Sequence, residues 1–121
     1  PEGVPRCAAG SMSLIGAGVT DTNDVVLGPA LRFLSKQVIA HLEAKGDWYW
    51  YGQYYASQAM FHSPDPEDWQ RYWDKAWKVI AGLQDEDGTW TKPESYGAQY
   101  STAMALIILQ IPNNYLPIFQ R

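Results

Sequence analysis

The feature that most constrains this chain is an internal repeat with an offset of 45 residues. Sliding the sequence by that offset places Tyr51 on Tyr96 and Tyr55 on Tyr100. Each of these two blocks follows a Gly-x-Trp triplet. A repeat of this length is a supersecondary unit that buries its apolar faces against its neighbours. The repeat therefore predicts a row of similar packed units.

Each unit has the pattern of a helical hairpin. A helix with one apolar stripe ends near a glutamine and a Gly-x-Trp, and a more uniformly apolar helix follows. Prolines at helix starts and glycines at helix ends mark the boundaries, and no alternating strand pattern appears. The pattern predicts an all-α fold of about five helices, over residues 7–17, 29–45, 47–62, 66–84 and 96–110. Leu31, Leu34, Val38 and Leu42 supply the apolar stripe of the second helix.

The size and charge of the chain exclude several classes of protein. Its 121 residues are enough for a single domain, 1–121, with its own core. The net charge of −4 and scattered basic residues argue against nucleic acid as a partner. The lack of a long apolar run predicts a soluble chain that does not span a membrane. A single cysteine, Cys7, leaves the cellular location undetermined.

Aromatic residues give the main candidates for ligand binding. Six Trp and eight Tyr are present, most of them between residues 48 and 100. Tyr51, Tyr55, Gln58 and His62 share one face of the third predicted helix. Such rings either line a cavity or pack between helices, and composition does not separate the two. We therefore treat these four residues as candidate ligand-binding residues.

Residues 76–90, "AWKVIAGLQDEDGTW", resemble the QW repeat of the squalene-hopene cyclase and prenyltransferase class. The motif positions are occupied by Ala76, Val79, Ile80, Gln84, Gly88 and Trp90. The first copy, with Gly46 and Trp48, matches more loosely. Residues 47–60 and 96–119 are also similar to squalene-cyclase-like repeat proteins. The resemblance implies that Gln84, Gly88, Trp90, Gly46 and Trp48 hold the repeats together.

The resembled class implies an α/α toroid in which inner and outer helices alternate around an axis. Five helices form only an arc of such a ring, so we expect 1–121 to be a segment of a longer toroid. Repeat units bury their flanks against neighbours. We therefore expect flanking repeats of the same protein, or self-association, to complete the arc.

Cyclases of this class use an Asp-x-Asp-Asp motif whose protonated acid attacks an alkene. Residues 21–24, "DTND", come nearest to it, with Asn23 where a carboxylate should stand. Asp24 is thus the one candidate for a catalytic acid. Helix capping by Asp24 fits the same pattern equally well, because Asp accepts hydrogen bonds from free helix N–H groups.

The sequence indicates neither a metal nor a cofactor. His41 and His62 lack companion ligands at helical spacing, and the acidic triplet 85–87 before Gly88 has the composition of a solvated turn. A calcium loop would continue with ligands at alternate positions. No phosphate-binding or dinucleotide-binding glycine motif occurs either.

These observations favour a structural or ligand-binding segment of a squalene-cyclase-like α/α toroid, with an apolar molecule or a glycan as the possible ligand. One alternative is part of a terpenoid cyclase, an isomerase that protonates an alkene. A second alternative is a peptide- or glycan-binding repeat surface. The aromatic third helix is the feature on which the binding interpretations depend.

Overall fold

The computed structural model describes residues 2–94 and 96–115, and within these ranges it contains five α-helices and no strand. This confirms the predicted all-α fold. The end of the family-like stretch, residues 116–119, lies outside the described residues. The helices are α1 Val4–Gly16, α2 Leu27–Ala44, α3 Tyr49–His62, α4 Pro66–Gly82 and α5 Ala98–Gln110, and a 3₁₀ turn, Ile111–Asn113, follows α5.

The start of α4 shows how local sequence sets a helix boundary. The Asp65 carboxylate accepts a hydrogen bond from the Glu67 backbone N–H at 2.9 Å, and Pro66 occupies the first helical position. Glu67 and Asp68 place negative charge in the first turn, where the helix dipole favours it. Tyr72, Ala76 and Ile80 then bury one face at helical spacing.

The five helices form two rows. Helix α3 contacts all four other helices. It lies between α1 and α5 in one row, and α2 and α4 form the second row and contact each other. The arrangement explains why α3 is buried on most sides while α4 is amphipathic.

The core lies between the two rows. The predicted stripe of α2 is confirmed, because Leu31, Leu34, Val38 and Leu42 are all buried. Trp50, Ala56 and Met60 of α3 pack into the same cluster. None of the described helices has the length and apolarity that crossing a membrane would require.

Candidate functional site

Six aromatic side chains form a continuous surface where the start of α3 meets the start of α5. Neighbouring ring centroids in this series lie 4.9 to 6.5 Å apart. We call this surface the aromatic platform; its members, in order of contact, are Tyr54, Tyr55, Tyr51, Trp48, Tyr96 and Tyr100.

The platform contains the same ring pair twice. Tyr51 and Tyr55 meet edge to face, with centroids 5.0 Å apart and planes at 67°. Tyr96 and Tyr100, the residues at the repeat offset of 45, also meet edge to face, at 6.0 Å and 81°. Trp48 joins the two pairs, because it stacks on Tyr96 at 6.2 Å and 19° and meets Tyr51 edge to face at 6.5 Å and 70°. The sequence repeat is thus accompanied by a repeat in ring geometry.

Trp48 is exposed by an unusual backbone conformation. Its φ of 57° and ψ of 38° lie in the left-handed region, which bulky residues rarely adopt and which is disfavoured by about 1–2 kcal/mol. Its side chain is 60% exposed, as is that of Tyr96. Local strain of this kind is found at ligand-binding segments more often than elsewhere. The strained turn therefore makes Trp48 a candidate functional residue.

Two clefts share Asp47 and Trp48 among their lining residues. The larger, about 790 Å³, is bounded by the start of α1, the end of α2, Trp48 and Tyr51. The smaller, about 390 Å³, is lined by Asp47, Trp48, Glu94 and Tyr96. Both volumes fall within the range of sites that bind small molecules.

Glu94 is held in place beside the platform. Its Oε1 atom accepts a hydrogen bond from the Tyr49 backbone N–H at 2.6 Å, and its Oε2 atom accepts one from the Trp50 N–H at 3.2 Å. These N–H groups belong to the first turn of α3, where a negative charge is stabilised by the helix dipole. Burial raises the pKa of Tyr100, and the Glu94 charge raises it further. The carboxylate therefore acts electrostatically on the rings.

A buried polar chain lies behind the larger cleft. The Tyr72 hydroxyl donates to Gln53 Oε1 at 2.9 Å, and Gln53 Nε2 donates to His41 Nδ1 at 2.8 Å. An imidazole that accepts at Nδ1 carries its proton on Nε2 when it is neutral. Burial lowers the pKa of His41, and the Asp47 carbonyl and the Glu94 carboxylate oppose that shift. Burial also raises the pKa of Tyr72. The chain thus consists of neutral groups at pH 7.

The junction between α4 and α5 has a compact hydrogen-bonded structure. Gln84 Nε2 donates to the Gly88 carbonyl at 2.9 Å, and Gly88 has a φ of 89°. The Trp90 indole N–H donates to the Ile80 carbonyl at 2.7 Å, near the end of α4. The Trp90 backbone N–H donates to the Thr102 hydroxyl of α5 at 3.0 Å. Trp90, only 3% exposed, therefore connects two helices.

The junction between α2 and α3 is built differently. Trp48 lies at the surface, and a Cβ added to Gly46 would meet no other atom within 4 Å. The buried indole here is Trp50, whose N–H donates to the Lys92 carbonyl at 3.1 Å. Trp50 therefore ties α3 to the segment that precedes α5.

The four ligand-binding candidates from the sequence lie in three environments. Tyr51 and Tyr55 belong to the platform. Gln58 is buried, and its side-chain amide donates to the Tyr54 carbonyl one turn earlier at 2.9 Å. His62 lies half-buried at the far end of α3, with its ring 5.7 Å from Phe61. The structure thus brings the two tyrosines together and places the other two residues elsewhere.

Several residues of the platform and of the smaller cleft were not among the ligand-binding candidates from the sequence. Trp48 was predicted only as a repeat-structural residue, and Asp47, Glu94, Tyr96 and Tyr100 were not predicted as site residues. The repeat offset was the available signal for two of them, because it pairs Tyr96 and Tyr100 with Tyr51 and Tyr55. Nothing in the spacing indicated the two carboxylates.

Asp24 begins α2. One oxygen of its carboxylate accepts from the Val26 N–H at 2.9 Å and from the Leu27 N–H at 2.8 Å. These two hydrogen bonds, Leu27 first, lower the pKa of Asp24. A carboxylic acid that protonates an alkene needs its pKa shifted upward instead.

The acidic triplet forms a hydrogen-bonded turn. Asp87 Oδ1 accepts from the Thr89 hydroxyl at 2.7 Å and from the Thr89 N–H at 3.0 Å, which lowers the pKa of Asp87. The Asp85 N–H donates to the Thr89 carbonyl at 2.8 Å. No cluster of three metal-ligating side chains occurs within residues 2–94 and 96–115.

Three comparisons with known proteins were made. A scan against models of protein families, a search of curated proteins and a search of solved structures each give no match. The geometry of the platform and its two clefts is therefore the basis for a functional interpretation.

Proposed function

We propose that this chain is a ligand-binding segment of a squalene-cyclase-like α/α toroid and that the aromatic platform is its ligand-contacting face. The alternation of α1, α3 and α5 in one row with α2 and α4 in the other supports the toroid assignment. The platform lies on the row that would form the inner layer. In this proposal, flanking repeats or another copy of the chain extend the arc.

The exposed position of the platform carries the proposal. Trp48, Tyr51 and Tyr96 present rings to solvent, although burying them would favour folding. A contiguous exposed aromatic surface on a compact domain is typical of an interaction site. Aromatic faces bind the C–H faces of sugars, apolar chains and cations. The structural role alone would not require these rings at the surface.

A terpenoid cyclase is the alternative with a direct test. The hydrogen bonds that keep Asp24 ionised give this alternative little support. Incubation with squalene followed by mass spectrometry would detect a cyclised product. Turnover that is lost in Asp24→Asn would replace our proposal with the enzymatic one.

The platform can be tested by NMR titration. We would add cellohexaose, chitohexaose and farnesol separately to the protein and follow the indole N–H signal of Trp48. We expect at least one probe to shift this signal, and we expect Tyr55→Ala to weaken that binding about 5- to 30-fold, the effect of losing one ring contact.

Tyr115→Ala is the control, because Tyr115 is an exposed tyrosine that lies outside the platform. It should leave the affinity unchanged. The proposal fails if no probe shifts the Trp48 signal, or if Tyr55→Ala and Tyr115→Ala have the same effect on every probe.

A further inference from the structure

The smaller cleft combines two aromatic rings with two carboxylates. Trp48 and Tyr96 form one side, and Asp47 and Glu94 complete the lining. Its volume of about 390 Å³ suits a small chemical group rather than a whole macromolecule. Rings beside carboxylates are the side chains that stabilise an organic cation, the rings through their quadrupole and the carboxylates through their charge.

The two rings are open to an incoming group. Trp48 and Tyr96 are each 60% exposed, and their planes differ by only 19°. A cation is attracted when it lies within about 6 Å of a ring centroid. Because the face of an aromatic ring is negative and its edge is positive, the cation has to lie over the face of Trp48 or Tyr96 that the other ring of the stacked pair does not cover.

The carboxylates supply complementary charge. Glu94 is fixed by its two hydrogen bonds to the start of α3, and Asp47 is exposed. The ion pairs found among the described residues join Arg71 to Asp68 and Lys75 to Glu43, and neither pair involves these two acids. The net charge of −4 adds a general attraction for cations.

The chain already pairs one exposed indole with an ammonium group. Lys78 Nζ lies 5.6 Å from the ring centroid of Trp77, which is 45% exposed. Trp48 instead stacks on Tyr96, in a cleft whose other lining residues are Asp47 and Glu94. The Trp48 indole therefore has the surroundings of a cation site, and the cation–ring contact found among residues 2–94 and 96–115 involves Trp77 and not Trp48.

We propose that the cleft formed by Asp47, Trp48, Glu94 and Tyr96 binds an organic ammonium group, carried either by a small molecule or by a modified lysine of a peptide. The inference rests on the proposed ligand-binding function of the platform and specifies the charge of the ligand. An anionic ligand is disfavoured by both carboxylates. A neutral ligand gains only the ring contacts.

The test compares choline with its uncharged isostere, 3,3-dimethyl-1-butanol, in NMR titrations of the whole chain. Both probes have the same shape, so a difference in affinity reports the charge. We expect choline to shift the Trp48 indole signal and to bind at least about tenfold more tightly than the isostere. The indole signals of Trp50 and Trp90, which are hydrogen-bonded to carbonyls, should not move.

Two variants separate the charge from the fold. Asp47→Asn leaves unchanged all six rings and the hydrogen bonds of Glu94 to the start of α3. It should weaken choline binding about 3- to 10-fold without altering the affinity for the isostere. Trp77→Leu removes the other exposed indole and should have no effect. Equal binding of choline and the isostere, or choline binding that is insensitive to Asp47→Asn, would overturn the inference.

The outcomes also separate this inference from the function on which it rests. If cellohexaose, chitohexaose or farnesol binds in a Tyr55-dependent way while choline leaves Trp48 unchanged, the ammonium site is wrong and the platform stands. If no probe of either kind binds, both proposals fail. A short peptide with one trimethyllysine, compared with choline, distinguishes the two sources of the ammonium group: tighter binding of the peptide favours a protein ligand.

Discussion

Trp90 closes the α4–α5 junction from the inside, whereas Trp48 stands at the surface of the α2–α3 junction. The indole of Trp90 donates to the Ile80 carbonyl and is almost completely buried. Trp48 occupies the same place after a glycine, yet it is exposed, has a left-handed backbone and stacks on Tyr96. At the α2–α3 junction the interior position is taken by Trp50.

This difference separates stability from binding within one repeated motif. A buried indole with a hydrogen-bonded N–H contributes to the free energy of folding. An exposed ring on a strained backbone contributes little to that free energy and remains available to a ligand. Variants at equivalent positions of the two junctions should therefore have different effects.

The largest expected effect is the difference in stability between the variants Trp90→Ala and Trp48→Ala. Trp90→Ala should lower the free energy of unfolding by about 3–5 kcal/mol, because it leaves a cavity and removes the indole hydrogen bond to the Ile80 carbonyl. Trp48→Ala should change it by less than about 1 kcal/mol. Urea denaturation followed by circular dichroism measures both values. Similar losses for the two variants would contradict the division of roles.

The second comparison uses the two glycines related by the repeat offset. Gly52→Ala should destabilise the protein by about 1–3 kcal/mol, because the added Cβ would lie 2.8 Å from His41 Cε1 and 3.0 Å from Pro5 Cγ. Gly97→Ala should lower the free energy of unfolding by about 1–2 kcal/mol for a different reason: the backbone φ of 95° at Gly97 is unfavourable for a residue with a Cβ.

Gly10→Ala is the control for this pair. Gly10 lies inside α1 with open space around it, so the substitution should stabilise the protein by about 0.5–1 kcal/mol. Thermal unfolding of the three variants ranks them. A stabilised Gly52→Ala would show that His41 does not pack against α3 as described.

The smallest expected effect is the pH dependence that His41 contributes. The folded state lowers the pKa of His41 below the ordinary value of 6.5, so the unfolded chain binds more protons at mildly acidic pH. Stability from this group is complete above pH 6.5 and is lost as the pH falls toward the folded pKa. His41→Gln should reduce the slope of unfolding free energy against pH between about pH 7 and pH 5.

His62→Gln is the matched control, because the chain has only two histidines. Other groups near His41, namely Tyr49, Tyr72, Asp47 and Glu94, stay the same in both variants. An unchanged slope in His41→Gln, or an equal change in His62→Gln, would contradict the assignment.

Local patterns were sufficient to predict the helices. The Asp65–Pro66 start of α4 and the apolar stripe of α2 are set by residues close together in the sequence, and capping and periodicity act over one or two helical turns. The predicted ends differ from the observed ones by a few residues, for example 96–110 against Ala98–Gln110.

The candidate site depended on contacts that the sequence pattern does not contain. The Gly-x-Trp spacing is the same for Trp48 and Trp90, so the sequence predicts the same role for both. It does not show that the Trp90 indole binds the Ile80 carbonyl, or that Trp50 rather than Trp48 binds the Lys92 carbonyl. Glu94 binds the backbone of Tyr49 and Trp50 at the start of α3, which lie 45 and 44 positions earlier in the sequence. Such contacts are determined by packing of the helices.

Hydrogen exchange of the indole N–H groups tests the difference between the two junctions most directly. If Trp90 and Trp50 are buried donors, their indole protons should exchange only on global unfolding, while the Trp48 proton should exchange at nearly the rate of a free indole. A Trp48 proton protected as strongly as that of Trp90, or a Trp90 proton that exchanges freely, would contradict the account.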